Sequence, residues 1–217
     1  MSEQLQSDFD KIIKTSKFSS EEIKFKKNFL NNFIKNGFPN RKQEDWKFLD
    51  ISQIIKKNIS DLSFFNDYSQ SNKIDLSILV DGLEHNKIIF INGKIEKIDF
   101  NFEDQNKIEI IDETKKDISF DYENSLIDLN SAFTDKVFKI LIKKNYSLKK
   151  PLIIYHSIND EIKSTNINLR LDFELGENSC LRLVDFYTNK AAKNFINIFY
   201  NFNLEKNSIL KNYKIDK

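Results

Sequence analysis

Phe173-Glu-Leu175-Gly-Glu-Asn178-Ser179-Cys180-Leu181-Arg182 and Phe202-Asn-Leu204-Glu-Lys-Asn207-Ser208-Ile209-Leu210-Lys211 share the pattern F-x-L-x-x-N-S-x-L followed by a basic residue, at an offset of 29 residues. Carried backwards, that offset aligns Phe138, Ile167 and Ile196, then Ile140, Leu169 and Ile198, then Ile142, Leu171 and Tyr200, and finally Leu152, Leu181 and Leu210. These stretches alternate apolar and polar residues, as strands with one buried face do, and the turns between them are too short for crossover helices. Equal spacing of such strands is what a β-solenoid requires, because each coil sets its inward side chains above those of the last. The spacing therefore predicts a mainly β chain built on a parallel β-helix. An antiparallel sandwich with evenly spaced strands is the competing architecture, and a hexapeptide-type left-handed helix is disfavoured because no six-residue step is visible. Strand alternation persists through Ile209, Tyr213 and Ile215 without a polar cap, which predicts an unfinished edge and a chain that is the first part of a longer protein.

Upstream of the repeat the period changes. Ile88–Ile91 and Lys94–Ile98 flank Asn92-Gly93, a strong hairpin signal. Leu126, Leu129, Ala132 and Phe133 have helical spacing inside Glu123–Phe133. Nearer the start, Ser19 and Glu22 have capping-box spacing. Phe25, Phe29, Leu30, Phe33 and Ile34 then recur helically until Gly37, with Pro39 beyond it. Leu5, Phe9, Ile12 and Ile13 predict a shorter helix before this one, and Trp46, Leu49 and Ile51–Ile55 one or two turns after it. Residues 1–60 thus read as a small helical domain and 61–86 as a connection, with Phe64-Phe65 the main apolar anchor of the polar stretch Ser60–Asn72. Residues 87–217 read as the β-rich region.

The chain has 217 residues and nearly balanced charge, 34 Lys and Arg against 33 Asp and Glu, which disfavours nucleic acid as a partner. It has 31 Lys, 31 Ile, 26 Asn and 20 Phe but only 3 Arg and 3 Ala, so lysine abundance reflects AT-rich codons before it reflects a ligand. No apolar run approaches the ~20 residues that span a bilayer, and the polar start lacks the apolar stretch of a signal peptide. The expected compartment is the cytoplasm, with no membrane partner.

The chemistry-bearing residues are sparse. A lone Cys180 cannot form an internal disulfide or a cysteine-rich cluster site, and it is expected to pack as a small hydrophobe. His85 and His156 stand 71 residues apart without ligand spacing. The acidic pairs Glu21-Glu22, Glu44-Asp45 and Asp160-Glu161 suit helix starts or solvated turns. Arg170, Asp172 and Arg182 come nearest to a polysaccharide-cleaving cluster, but a salt-bridged solvent face explains them more simply. No phosphate-binding glycine loop occurs among the four glycines. No catalytic, cofactor-binding or metal-ligating residue is assigned, and the chain is expected not to be an enzyme.

One segment carries a recognisable pattern. Gly37-Phe-Pro39-Asn-Arg41-Lys42-Gln-Glu44-Asp45-Trp46-Lys47-Phe48 resembles the G-x-P-x-R-x-E-x-W-K-Y-T segment of the SufD branch of the SufB/SufD family, scaffolds of the Suf iron–sulfur cluster assembly system. Phe48 replaces the usual Tyr and Leu49 the usual Thr. Phe90-Ile-Asn-Gly93 resembles the family's F-V-N/D-G turn, Leu129-Asn-Ser-Ala-Phe133 its L-N-x-A-F segment, and Lys150-Pro151-Leu152 its K-P-I/L lead-in. The motifs follow the family's order over most of the chain. The resemblance implies a right-handed parallel β-helix after a small N-terminal helical domain. It also implies a non-catalytic scaffold that pairs with SufB and engages the SufC ATPase. No cofactor is then held by this chain alone: the cluster is transient in the complex, and ATP binds at SufC. The alternative function is a β-solenoid that binds or cleaves carbohydrate.

Overall fold

The computed structural model describes residues 2–59, 61–65, 79–113, 124–159, 162–189 and 193–216. Among these residues lie four α-helices, α1 (Ser2–Thr15), α2 (Ser20–Asn36), α3 (Ile51–Asn58) and α4 (Ser125–Phe133), and a 3₁₀ turn at Glu44–Trp46. The strands are β1 (Asn86–Ile91), β2 (Lys94–Asp99), β3 (Ile108–Glu113), β4 (Val137–Ile142), β5 (Leu152–Ile158), β6 (Asn166–Leu175), β7 (Cys180–Asn189), β8 (Phe195–Leu204) and β9 (Ile209–Asp216). Most of the expected connection Ser60–Asn72 and the pair Asp160-Glu161 lie outside the described residues.

The helix starts follow the residues that predict them. Ser19 caps α2 in a full capping box with Glu22, and Gly37 ends it with φ 68°, a conformation glycine reaches without strain. Asp50 caps α3 by accepting from the Gln53 amide at 2.9 Å, and Asn124 caps α4 through the Leu126 amide at 2.9 Å. Asn92 and Gly93 both take positive φ, 52° and 85°, and turn β1 antiparallel into β2.

The strands form two sheets. Sheet one runs β2-β1-β5-β7-β9 and sheet two runs β3-β4-β6-β8. Both are mixed: β1/β2 and β3/β4 are antiparallel, and every later pair is parallel. This corrects the expectation of a mainly β, right-handed parallel β-helix. The chain is an α/β arrangement of two mixed sheets and helices, not a solenoid of equal coils. The physical reason lies in the connections. Ile167↔Ile196 and Leu181↔Leu210 are in-register parallel neighbours at the expected 29-residue offset. Phe138, however, pairs with Leu171 rather than Ile167, and Leu152 with Leu183 rather than Leu181. The connections on both sides of β5, 143–151 and 159–165, are longer than the later ones at 176–179, 190–194 and 205–208, and they shift the register by an even number of residues. The apolar face is preserved while the constant repeat is lost.

The repeated Asn-Ser has a local cause. Asn145, Asn178 and Asn207 all adopt the left-handed conformation, at φ 57°, 57° and 59°, which Asn tolerates better than other non-glycine residues. Their side chains form a ladder, Asn178 Nδ2 donating to Asn145 Oδ1 at 2.9 Å and Asn207 Nδ2 to Asn178 Oδ1 at 3.1 Å. The following serines close the turns by donating their amides to Gly176 and Glu205 carbonyls at 3.1 and 3.0 Å.

Between the sheets lies the main core, with Ile88, Phe90, Ile140, Leu152, Ile154, Leu171, Phe173, Leu181 and Leu183 at its centre. The opposite face of sheet two carries the helices: Leu5, Phe9, Leu30 and Phe33 share a second core with Leu129, Ala132, Phe133 and the β8 residue Phe195. Asn130 stitches α4 to the sheet, its side-chain amide donating to the Leu169 and Asn197 carbonyls at 3.1 and 2.8 Å. Lys26 of α2 donates to the Ser131 carbonyl at 3.2 Å and to that of Thr134, placing a cation at the C-terminal end of α4. Burial holds this amine down to about 8, although Asp135 and Glu22 pull the other way. Among the described residues no helix is long and apolar enough to cross a membrane.

Candidate functional site

The two ends of the sheet pair differ chemically. At one, β2 and β3 are rich in charge, with Lys94, Glu96, Lys97 and Asp99 on β2 and Glu109 and Asp112 on β3. At the other, β8 and β9 are the outermost strands of their sheets and, among the described residues, have a strand neighbour on one side only. Leu204, Ile209, Tyr213 and Ile215 are exposed there, Tyr213 at 58%. The inward residues Ile198, Tyr200, Phe202 and Leu210 are only partly buried although they pack on the main core. An edge of this kind combines backbone groups without ladder partners and an apolar surface, which is a template for another chain.

Just inside this end, four polar side chains interrupt the apolar filling. Register places Phe90, His156, Tyr187 and Asp216 in one row across sheet one, with Asp185 and Lys214 in the row two residues before it. The His156 ring stacks between Phe90, at 5.5 Å and 11°, and Tyr187, at 4.7 Å and 20°. Its Nε2 lies 2.8 Å from the Tyr200 hydroxyl of sheet two, and that hydroxyl donates to Asp185 Oδ1. With the tyrosine proton committed to the carboxylate, the histidine Nε2–H is the donor to the phenol oxygen. The chain of donors ties β8 of one sheet to β5 and β7 of the other, so the network works as a latch between the layers.

Burial governs its protonation. It pushes the His156 pKa below the usual imidazole value, against the pull of Asp185 and with the help of Lys214. It pushes Tyr187 up to about 12, and Tyr200 well above the ordinary phenol, with the Asp185 charge acting in the same direction. Because the unfolded chain binds the histidine proton more tightly, stability is expected to fall as pH drops below the unfolded value of ~6.5, flattening once the folded value is passed. Urea unfolding at pH 7.5 and 5.5 measures this. The His156→Gln variant should lose part of the pH-dependent difference, and an identical difference in the variant would show that the latch histidine does not contribute.

The other residues singled out by sequence are dispersed. His85 is buried on the opposite face of sheet one, its Nε2 2.8 Å from the Tyr155 hydroxyl and its Nδ1 2.6 Å from the Leu83 carbonyl. Cys180 is half-buried at the start of β7 and exchanges backbone bonds with Tyr146 and Leu148. Arg182 reaches the Leu148 and Lys149 carbonyls at 3.4 and 3.2 Å. Arg170 and Asp172 pair bidentately, at 2.8 and 3.1 Å, but in a buried position on the helix-covered face of sheet two rather than on the solvent face expected for them. The fold thus brings together His156, Asp185, Tyr187 and Tyr200, which sequence reasoning did not group. A usable signal was present: His156 and Asp185 occupy inward positions of the alternating strands Leu152-x-Ile154-x-His156 and Leu181-x-Leu183-x-Asp185.

A second polar centre fixes the approach to β5. Glu103 accepts from the Asn86 side chain and the Tyr146 hydroxyl, both at 2.6 Å, and from the Lys149 and Lys150 amides at 3.1 and 3.2 Å. Burial alone would raise its pKa; the hydrogen bonds from Tyr146, Asn86 and the two amides outweigh it and hold the carboxyl below the usual range. Its contribution is present above the unfolded value of ~4.3 and is lost as pH falls through the lower folded value. Glu103→Ala, which removes one acceptor from four donors, of which the Lys149 amide is exposed to water and the Asn86 amide keeps the Lys150 carbonyl, is expected to cost about 1–2 kcal/mol in denaturant titration at pH 7. A loss below about 0.5 kcal/mol would show that water replaces the carboxylate.

Neither a protein-family model nor a curated protein sequence matches the chain.

Proposed function

We propose that the chain is a non-catalytic scaffold subunit of the SufB/SufD kind, working in the cytoplasm, pairing with SufB and engaging the SufC ATPase. The observation that carries this reading is the asymmetry of the sheet pair. One end is charged, whereas at the other, among the described residues, β8 and β9 are the outermost strands of both sheets, with Leu204, Ile209, Tyr213 and Ile215 exposed. A protein whose task is to hold another chain in a fixed register needs such an edge on a rigid base, and the His156–Asp185–Tyr200 latch supplies the base directly beneath it.

The segments that resemble the family lend further support, because each occupies a joint of the fold. Gly37 and Pro39 terminate α2, and the Pro39 carbonyl accepts from the Ile51 amide at 3.3 Å. Asn92-Gly93 makes the β1–β2 turn. Asn130 fastens α4 to sheet two, and Lys150-Pro151 forms the Glu103-anchored lead into β5. In this reading the iron–sulfur cluster is transient cargo of the complex and ATP is hydrolysed at SufC. Co-expression of the tagged chain with SufB and SufC from the same genome tests it: a stable complex containing SufB is the expected product.

A further inference from the structure

The 3₁₀ turn and α3 form a second surface that the scaffold reading does not use. The frame is held at both ends. Phe38 is buried against Phe33 and Phe195, at ring distances of 5.0 and 5.6 Å, and Ile51 and Ile55 are buried on the inner face of α3. Between these anchors Phe48 projects outward, 84% exposed, with Leu49 and Ile54 also exposed beside it. Together with Arg41 and Lys57 they line a cleft of about 310 Å³, large enough to take one large apolar side chain.

The charge lining the cleft is positive by one, Arg41 and Lys57 against Asp50, and one Asp50 oxygen is already engaged in capping α3. Lys47 Nζ sits 5.1 Å from the centre of the Phe48 ring. Arg41 is informative because arginine is so scarce, 3 residues against 31 Lys. The other two use their forked donors: Arg170 grips Asp172 bidentately and Arg182 bridges two carbonyls. Arg41 stands exposed on the cleft rim, and among the described residues no hydrogen bond or ion pair holds it. A guanidinium suits bidentate recognition of a carboxylate better than an ammonium does.

We propose that this cleft docks an acidic amphipathic segment of a partner protein, which inserts one large apolar side chain beside Phe48 and Ile54 and sets a carboxylate on Arg41. A membrane surface fits less well, because the Asp50 carboxylate lies among the apolar groups that would have to enter it. The site is separate from the β8–β9 edge, and either assignment can fail without the other.

Selection of a random dodecapeptide display library on the full chain tests this, with counter-selection on the Arg41→Gln/Phe48→Ser variant. Both positions are exposed, and circular dichroism of the variant checks that its fold is intact. The expected outcome is enrichment of peptides with acidic residues flanking Phe, Leu or Trp. A synthetic copy of the best peptide should bind the variant at least tenfold more weakly by fluorescence anisotropy. Enrichment of basic or uncharged peptides, equal binding to the variant, or no peptide that distinguishes the two proteins overturns the proposal. So does sedimentation with anionic phospholipid vesicles that the two substitutions abolish, which would assign the surface to lipid.

Discussion

Arg170→Ala is expected to lower the unfolding free energy by about 3–5 kcal/mol, because it leaves the Asp172 carboxylate as a buried charge without its bidentate partner. Both side chains are only 2% exposed, so water cannot take over the role of the guanidinium. The Arg170 guanidinium also lies 5.4 Å from the centre of the Phe199 ring, a contact the truncation removes as well. The double variant Arg170→Met/Asp172→Leu should recover much of the loss, since replacing a buried pair by apolar groups of similar size is often close to neutral. Urea titration followed by circular dichroism measures all three proteins. A single-variant loss below 1 kcal/mol would mean that the pair is hydrated in solution.

This pair also illustrates what was legible in the sequence. Alternation placed Arg170 and Asp172 correctly on the face opposite Leu169, Leu171 and Phe173, but it could not reveal that helices would cover that face. Local signals were read well where they were local in cause: the Ser19–Glu22 box, the Gly37 stop and the Asn92-Gly93 turn depend on a few neighbouring residues. The 29-residue offset was sound between β6 and β8 and between β7 and β9, whose intervening turns are equal. It misled further upstream, where unequal connections reset the register, and the equal-coil architecture it implied had to give way to two mixed sheets. The polar latch was missed for a related reason. His156, Asp185 and Tyr200 come from three strands of two sheets, so their meeting is a property of topology rather than of spacing. Their inward positions were nevertheless visible in each strand.

The second large effect is expected at the open edge. Ile209→Asp together with Tyr213→Asp places two carboxylates on β9 positions that are 52% and 58% exposed in the isolated chain. Folding stability should change by less than about 1 kcal/mol, because surface substitutions away from buried features are mild. Association with SufB should weaken by ~100-fold or more, about 2.8 kcal/mol, since apolar contacts and strand pairing are lost together. Thermal unfolding and a binding titration separate the two consequences. A variant that binds as well as the unaltered chain would place the partner surface elsewhere.

The central claim is that this chain is a SufB/SufD-type scaffold, and co-purification tests it most directly. The tagged chain, co-expressed with SufB and SufC from the same genome, should elute with SufB in a stoichiometric complex that also retains SufC, and the doubly substituted β9 variant should elute alone. Elution of the unaltered chain without either partner, under conditions in which SufB and SufC still find each other, would contradict the account.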